Sequence, residues 1–298
     1  MGNKVKLSEV LSKDDLAYLR GKSNFRAASM LLLNWAMVIF SFSLFIVWPN
    51  ILSFLIAAIL LGGRQLGLAI LLHDCAHKAF FENEKTNDFV GHWLCGSVLN
   101  ISVFAYREYH LLHHRHAGTD KDPDIIFVDK YPVEAASLKR KIIRDISGQT
   151  GFRDTRIKLS KFTWAENHPW AVSHLLMILV LSLAGATWVY ALWWVSEIFV
   201  LPLLVRIRQI GEHGVADDRS DRSPRLNTGT TLASWWERLI LAPNFVNYHV
   251  EHHQFASVPC YHLPELHQKL KQGGYFEGYD CIANGYVDVL RRAVQPAH

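Results

Sequence analysis

Two consecutive apolar stretches limit the folds open to this chain more than any other feature of its sequence. Residues 27–48 contain no charged residue, and residues 51–72 contain one, Arg64. A helix needs about 20 predominantly apolar residues to cross the roughly 30 Å of hydrocarbon in a bilayer. Pro49 and Asn50, between the two stretches, predict a tight turn. The sequence therefore predicts a hairpin of two membrane spans, a pattern that is not typical of a soluble core.

A second hairpin of spans is predicted over residues 170–185 and 187–205. The two stretches separate near Gly185, and Glu197 is the acidic residue inside them. Between the hairpins lies a shorter uncharged segment, residues 89–105, which is borderline in length for a span. We expect this segment to be re-entrant or interfacial, because a full crossing would place the histidine clusters before and after it on opposite sides of the membrane.

These elements predict an all-α integral membrane protein with four transmembrane helices in two hairpins. We expect the polar segments 73–169 and 206–298 to form a helical cap, and the whole chain, residues 1–298, to be a single domain. The first 26 residues have no early apolar core, so no cleavable signal peptide is expected. Lys and Arg are frequent before the first span and in residues 139–161, whereas both hairpin turns have none. By the positive-inside rule, the cap and both termini face the cytoplasm.

Composition narrows the classes of function. The formal net charge of +4 is small, and Lys and Arg are scattered, so nucleic acid is not an expected partner. The four cysteines form no CxxC pair, which argues against a disulfide framework and against a cysteine zinc site. Histidine is the unusual residue, because the chain contains 16.

Eight of the histidines fall into three clusters with helical spacing. His249, His252 and His253 lie at positions i, i+3 and i+4, so one helical turn points all three imidazoles the same way. The other two clusters are His110, His113 and His114, with the same spacing, and His73 and His77, at i and i+4. Ordinary surface or core positions are expected for His92, His168, His174, His262, His267 and His298. His116 adjoins a cluster but falls outside its spacing.

Clustered imidazoles of this number indicate a metal site. Without cations these imidazoles would be unpaired polar groups or, when protonated, would repel one another. Neutral imidazole is a strong ligand of first-row transition metals, so bound metal would remove both problems. His213 follows the fourth predicted span where that helix leaves the membrane, and it is a ninth candidate ligand. Gln209, four residues earlier, is a candidate for direct or water-mediated contact with metal. Because one ion takes four to six ligands, nine histidines predict two metals.

The types of donor favour iron. A catalytic zinc needs only about three protein ligands and a water, so nine imidazoles are too many for that task. Soluble di-iron bundles use Glu and Glu-x-x-His ligands, and here imidazoles replace those carboxylates. We therefore expect a di-iron, oxygen-activating centre that acts on an unactivated C–H bond of an apolar substrate, with no catalytic residue beyond the ligands. Neighbouring carboxylates are candidates to accept the outer ring N–H of ligating histidines. The leading candidates are Asp74, Asp124, Glu212 and Glu251, and further ones are Glu108, Asp120 and Asp122.

The three clusters resemble the three histidine boxes of the integral-membrane fatty acid desaturase superfamily. The resemblance extends from about residue 50 to 270 and includes Val258-Pro259 and the run from Leu263 to His267. It implies a non-haem di-iron enzyme that takes two electrons and O2 and removes two hydrogens from an acyl chain. It also implies that a histidine after the fourth span completes nine ligands, with an amide residue one turn earlier that contacts metal through water. His213 and Gln209 match those two positions.

Two departures from the pattern bear on partners and substrate. The third box begins with His249 and not with the Gln typical of front-end desaturases, and we expect no fused cytochrome b5-like haem domain. We therefore expect electrons to come from a separate ferredoxin or b5-type donor. Carotenoid ketolases and hydroxylases of the same superfamily share similar boxes, and residues 116–124 resemble theirs.

Several functions stay open at the level of sequence. The first hypothesis is a fatty-acyl desaturase that acts on an acyl-lipid, acyl-CoA or acyl-carrier substrate. A hydroxylase or ketolase of a lipid or carotenoid would use the same iron site. A zinc-dependent membrane hydrolase would need only a subset of the histidines. A metal transporter is disfavoured, because transport sites lie near the bilayer midplane and these clusters begin where spans end.

Overall fold

The computed structural model describes residues 5–295, and within that range the protein is mostly helical. The helices are α1 Leu7–Val10, α2 Lys13–Leu19, α3 Asn24–Val47, α4 Ile51–Ala76, α5 Glu84–Phe89, α6 Val103–His116, α7 Ile125–Val128, α8 Ala135–Ile146, α9 Gln149–Ser160, α10 Trp164–Leu183, α11 Ala191–Val195, α12 Leu201–Gln209, α13 Pro224–Asn227, α14 Trp235–Ile240, α15 His249–Gln254, α16 Leu263–Gln272 and α17 Gly285–Arg292. Tighter or wider helical turns occupy Val90–Gly96, Ser97–Leu99, Thr187–Tyr190, Ser196–Val200, Ile210–Gly214, Pro243–Phe245 and Cys260–His262. Two short strands, β1 Thr230–Thr231 and β2 Ile282–Ala283, pair in parallel. The ends of the predicted domain, including His298, lie outside the described residues.

Helices α3 and α4 form the first predicted hairpin. The turn between them lies at Pro49 and Asn50, as expected from the sequence. The side chain of Asn50 accepts a hydrogen bond from the backbone N–H of Ser53 at 3.0 Å, which satisfies one of the free donors at the start of α4. Both helices are long and apolar enough to cross a membrane. Helix α4 continues to Ala76, beyond the predicted end at residue 72, and so carries the first histidine cluster on the same helix.

The second predicted hairpin consists of α10 and the continuous helical run Thr187–Gly214. Gly185 lies between them with a positive φ of 67°, at the predicted turn. The run Thr187–Gly214 is long and apolar enough to span a membrane, and it extends past the predicted end at residue 205 to carry Gln209 and His213. Helix α10 begins with polar residues, including Glu166, and is not among the three helices of the described chain that qualify by length and composition.

The segment predicted to be re-entrant is sharply bent. The helical run Glu84–Leu99 is followed by α6, and the two are bent by 94° relative to each other. Asn100, at the break, adopts a left-handed conformation with φ 55°. The bend returns α6 to α4, and the ring centroids of His73 and His110 lie 4.5 Å apart. The bend therefore brings the first two histidine clusters together.

Helix α4 is the central element on which the others pack, and glycine allows the closest approaches. A Cβ atom on Gly63 would lie 3.1 Å from the Cα atom of Ile240 in α14. The buried guanidinium of Arg64 donates a hydrogen bond to the backbone carbonyl of Leu239 in the same short helix. The segment that leads into the third histidine cluster is therefore held directly on the helix that carries the first.

Substituting Gly96 by Ala should destabilise the protein. The added Cβ would lie 2.1 Å from the backbone oxygen of Ile101 and 2.5 Å from Leu72 Cδ1. The backbone at Ile101 and the side chain of Leu72, near the end of α4, would therefore have to move. Overpacking of this kind costs roughly 1–3 kcal/mol. Thermal unfolding of the purified protein, followed by tryptophan fluorescence, measures the loss. Gly214→Ala is the matched control, because its Cβ would make contacts no shorter than 3.4 Å. Equal melting temperatures for the two variants would contradict the close packing at Gly96.

Candidate metal centre

All nine histidines selected from the sequence come together at one end of the helices that qualify as spans. They are contributed by four segments of the chain. His73 and His77 lie at the end of α4, and His213 lies in the last turn of the run Thr187–Gly214. The other six lie on two helices: His110, His113 and His114 on α6, and His249, His252 and His253 on α15. The i, i+3, i+4 spacing gives each of these two helices one imidazole face, and the fold turns both faces toward the end of α4.

Five of these histidines form one group whose ligand atoms all lie within 4.8 Å of one another. The members are His73, His77, His110, His114 and His252. The Nε2 atom of His114 lies 3.0 Å from His110 Nε2 and 3.0 Å from His252 Nε2. Three different helices thus direct ring nitrogens at one point.

The remaining four form a second group by the same distance criterion. Its members are His113, His213, His249 and His253. The Nε2 atoms of His249 and His213 lie 2.9 Å apart, and those of His113 and His253 lie 3.3 Å apart. Each group thus has enough imidazoles for one ion, which takes four to six ligands.

The two groups adjoin each other. The rings of His114, in the five-histidine group, and His253, in the four-histidine group, stack with centroids 4.3 Å apart. Helices α6 and α15 each contribute to both groups. The two groups therefore form one continuous cluster of imidazoles.

The donor atoms suit metal ions better than they suit one another. His77 Nε2 is buried and has no hydrogen-bond partner among the described residues, which is costly for a polar atom. Burial and neighbouring imidazoles lower the pKa of His249, His252 and His253 well below the ordinary value, so these rings are neutral near pH 7. A neutral imidazole has a lone pair to offer a cation. The residues present fit one metal ion in each group.

His113 is oriented by the acidic segment that follows α6. Its Nδ1 atom lies 2.7 Å from Asp122 Oδ1 and 3.7 Å from Asp124 Oδ2. Asp122 also accepts the backbone N–H of Asp124 at 2.9 Å, and Asp124 accepts a hydrogen bond from the Tyr109 hydroxyl. Asp122, one of the further candidates, therefore contacts His113 directly. Asp124, one of the leading candidates, supports Asp122 by donating its backbone N–H to it. The other two further candidates, Glu108 and Asp120, are exposed.

Two more of the predicted carboxylates contact ligand histidines. Asp74 lies 3.1 Å from His73 Nδ1 and accepts the backbone N–H of Cys260 at 2.9 Å. Glu212 lies 3.6 Å from His249 Nδ1 and accepts two hydrogen bonds from Arg208, at 2.6 and 2.7 Å. The 3.1 Å contact of Asp74 holds the His73 imidazole in one orientation and one tautomer. Glu212 lies too far from His249 Nδ1 for a hydrogen bond and is a nearby carboxylate that Arg208 holds in place.

Glu251 lies among the ligands in sequence but faces away from them. Its fully buried carboxylate lies 2.5 Å from His267 Nδ1 and accepts the Thr230 hydroxyl at 2.5 Å. It therefore ties α15 to α16 and β1, and the described structure gives it no contact with a ligand histidine. His213 is oriented by a backbone group, the carbonyl oxygen of Asn227, which lies 3.1 Å from its Nδ1. No side-chain pattern in the sequence could have identified that partner.

A small cavity of about 50 Å³ opens beside both groups, and Gln209 lines it together with His73, His110 and His213. Tyr106 lines the same cavity and stacks on His110, with the ring planes 12° from parallel. Tyr106 is not among the residues predicted from the sequence, although its position four residues before His110 in α6 is the spacing at which helical side chains meet.

His174 and the four cysteines have the ordinary environments predicted from the sequence. His174 is buried, with Nδ1 2.7 Å from the Tyr190 hydroxyl and Nε2 3.1 Å from the carbonyl oxygen of Val98. It is a core histidine whose ring nitrogens are satisfied by the protein. The four cysteines are free and buried.

Comparison with known proteins agrees with the geometry. The sequence model of the family described as fatty acid desaturase matches residues 48–282. The chain is 25% identical to the dihydrorhizobitoxine desaturase of Bradyrhizobium elkanii, over 74% of this chain and 68% of that protein. It is 24% identical to the sn-1 oleoyl-lipid 12-desaturase of Synechocystis sp., over 71% of this chain and 66% of that protein. It is also 28% identical to a beta-carotene ketolase of Paracoccus sp., over 69% of this chain and 75% of that protein.

The alignments cover about two thirds of the length of the two desaturases. The family match covers most of the present chain and includes every one of the nine clustered histidines. The protein thus belongs to the fatty acid desaturase family, and by that membership it is an oxidoreductase with several membrane helices.

Proposed function

We propose that this protein is an O2-dependent di-iron desaturase that introduces a double bond into the acyl chain of a lipid. The observation that carries the proposal is the pair of adjoining groups of five and four imidazoles, with no carboxylate among the donors of either group. The overall reaction consumes O2, two electrons and two protons, removes two hydrogens from adjacent carbons, and releases two waters. The electrons would come from a separate ferredoxin or cytochrome b5-type protein.

The number of donors supports iron over zinc. A catalytic zinc is held by about three protein ligands, and a hydrolase would leave most of these nine histidines without a role. Four or five imidazoles per ion suit a redox-active first-row metal that keeps a position open for a small molecule. When bound, two irons would supply the oxidising chemistry that an unactivated C–H bond requires.

The protein's own residues would hold this centre in position. Asp122 and Asp74 would fix the orientation of one ligand each, and Glu212 would place a carboxylate beside His249. Gln209 would contact a metal, directly or through a water, from the cavity that it lines. Side chains held in this way keep both sites pre-organised, so little rearrangement is needed when metal binds.

We further propose four spans in two hairpins with a cytoplasmic cap, within one domain. Support comes from the placement of His73 and His213 at the same end of two different long apolar helices, α4 and the run Thr187–Gly214. Helix α10 would supply the fourth span through its apolar part. The basic segment 139–161 would lie on the cytoplasmic side by the positive-inside rule.

A hydroxylase or ketolase of a lipid or carotenoid is the second candidate. The 28% identity to a beta-carotene ketolase favours it, and the same metal centre would serve it. Desaturation is the first candidate because the matching family is described as fatty acid desaturase and the two other relatives named above are desaturases.

The wild-type protein should bind about two irons per chain, as measured by inductively coupled plasma mass spectrometry of purified protein. His253→Ala leaves three imidazoles in its group and His77→Ala leaves four, so His253→Ala should lose more iron. His168→Ala, outside both groups, is the control and should keep the wild-type content. A single zinc per chain, or full iron in both ligand variants, would rule out the proposed centre.

Asp122→Asn should weaken metal binding because it removes the charged acceptor of the His113 ring N–H. Loss of such a contact costs roughly 10–100-fold in metal affinity or activity. Competition with a chelator gives the affinity, and Asp120→Asn, which changes an exposed carboxylate of the same segment, serves as the control. Identical chelator sensitivity of the two variants would remove Asp122 from the role assigned to it.

Expression in a heterologous host should convert saturated or monounsaturated acyl chains into products that lack two further hydrogens. Lipid profiling by mass spectrometry, beside a His252→Ala control that removes one donor of the five-histidine group, measures the change and locates the new bond. A gain of oxygen with the wild-type protein alone would instead assign the hydroxylase or ketolase function.

A further inference from the structure

Helix α14 presents two tryptophans to the outside of the protein. Trp235 and Trp236 are 74% and 44% exposed, and Leu232, just before the helix, is exposed as well. An indole is costly to leave in water, because each large aromatic side chain offers about 150–250 Å² of mainly apolar area. A patch of exposed apolar side chains marks a surface that contacts another molecule or a membrane.

The opposite face of α14 is fixed, so the helix cannot turn its tryptophans inward. The buried carboxylate of Glu237 accepts the backbone N–H groups of Ser234 at 2.7 Å and of Tyr286 at 2.6 Å. A Cβ atom on Gly63 of α4 would lie 3.1 Å from the Cα atom of Ile240, so the two backbones are in close contact. The fold itself therefore holds the tryptophans on the surface.

The contact with Gly63 places α14 at a defined depth. Gly63 follows Asn50, at the turn of the first hairpin, by 13 residues of α4, a distance of about 20 Å at 1.5 Å per residue. The hydrocarbon layer of a bilayer is roughly 30 Å thick. With the turn at one boundary of this layer, α14 lies within its opposite half. Shifting the protein until α14 reached water would push the exposed side chains of Trp48, Ile51 and Leu52 out of the bilayer.

The neighbouring span indicates the same depth. Asn34 of α3 donates a hydrogen bond to the carbonyl oxygen of Arg64 at 3.2 Å, so the two residues lie at one level. Beside Asn34, the side chains of Leu32 and Leu33 are exposed on the outside of α3, as is typical of a lipid-facing surface. At the same level the charged side chain of Arg64 bonds to Leu239 of α14. A charge is costly at the bilayer centre and much less so near the headgroups, so this level is a boundary of the hydrocarbon layer.

We infer that the exposed face of α14, formed by Leu232, Trp235 and Trp236, is inserted into the bilayer interface on the side of the metal centre. Its partner is the lipid of that leaflet, with the indoles between the headgroups and the acyl chains. Tryptophan is enriched at this boundary because its ring is apolar and its N–H is polar. Arg238, which is exposed on the same helix, supplies a cation for headgroup phosphates.

This contact with lipid would set the height of the third histidine cluster above the bilayer. The chain reaches His249 nine residues after the end of α14 at Ile240. On the way, the side chain of Asn244 donates a hydrogen bond to the carbonyl oxygen of Gly67 at 2.8 Å. The segment is thus fixed to α4 at Gly63 and again at Gly67, and a force on α14 is transmitted to the helix that carries three of the nine clustered histidines.

Spin labelling of the full chain in phosphatidylcholine and phosphatidylglycerol nanodiscs tests the inference. The four native cysteines are buried, so a nitroxide reagent reacts with an introduced exposed cysteine, and wild-type protein gives the background. Trp235→Cys is the test position. Leu33→Cys, on the lipid-facing side of α3, is the apolar reference, and Asp120→Cys, exposed in the polar segment after α6, is the aqueous reference. Collision rates with O2, which concentrates in lipid, and with a neutral nickel chelate, which stays in water, give the depth of each label.

The label at Trp235→Cys should collide more often with O2 than with the nickel chelate, at a depth of about 5–10 Å into the boundary between headgroups and acyl chains. Leu232→Cys reports on the same surface, keeps both indoles and should give the same result. The nickel chelate should reach the label at Asp120→Cys freely and the label at Leu33→Cys hardly at all.

Two outcomes would overturn the inference. Nickel collisions at both α14 positions as frequent as at Asp120→Cys would place the helix in water. Exclusion of both reagents would show that a second copy of the chain or another protein covers the tryptophans. The readout needs neither bound iron nor turnover, so a failure of the proposed di-iron function would leave this test valid.

Discussion

The close packing of nine buried or half-buried imidazoles at one end of the long helices is the constraint on which the rest of the structure depends. Ring nitrogens only about 3 Å apart cannot all be satisfied by one another, and His77 Nε2 has no protein partner among the described residues. Bound cations would remove this cost, and they would also join helices from distant parts of the chain. The metal centre would thus be a structural element of the fold as well as the place of chemistry.

A layer of contacts behind the histidines joins their helices to the rest of the protein. Asp74 connects the end of α4 to the backbone of Cys260, and Glu251 connects α15 to both β1 and α16. Strand β1 is further bonded to Asn247, two residues before α15, since Thr231 and Asn247 exchange hydrogen bonds at 2.9 Å. The third histidine cluster is therefore held by β1 and α16, which carry none of the nine clustered histidines.

Two cavities share Phe127 and Gln209 in their walls. The small one lies beside the ligand histidines, and a larger one, lined by six Lys and Arg side chains, lies between the amphipathic helix α8 and α12. Helix α12 belongs to the run Thr187–Gly214, so one rigid element carries both Gln209 and His213.

The sequence alone determined the long apolar helices and the single face of each histidine cluster, because hydrophobic length and helical spacing are local properties of the chain. It also selected His213, whose helix continues past the predicted end of the span and brings this residue to the other eight histidines. Only the tertiary structure decided the division into five and four, since α6 and α15 each face both groups. It likewise chose Asp122, turned Glu251 away toward His267, and supplied a backbone carbonyl to His213, because such contacts depend on how separate segments meet in space.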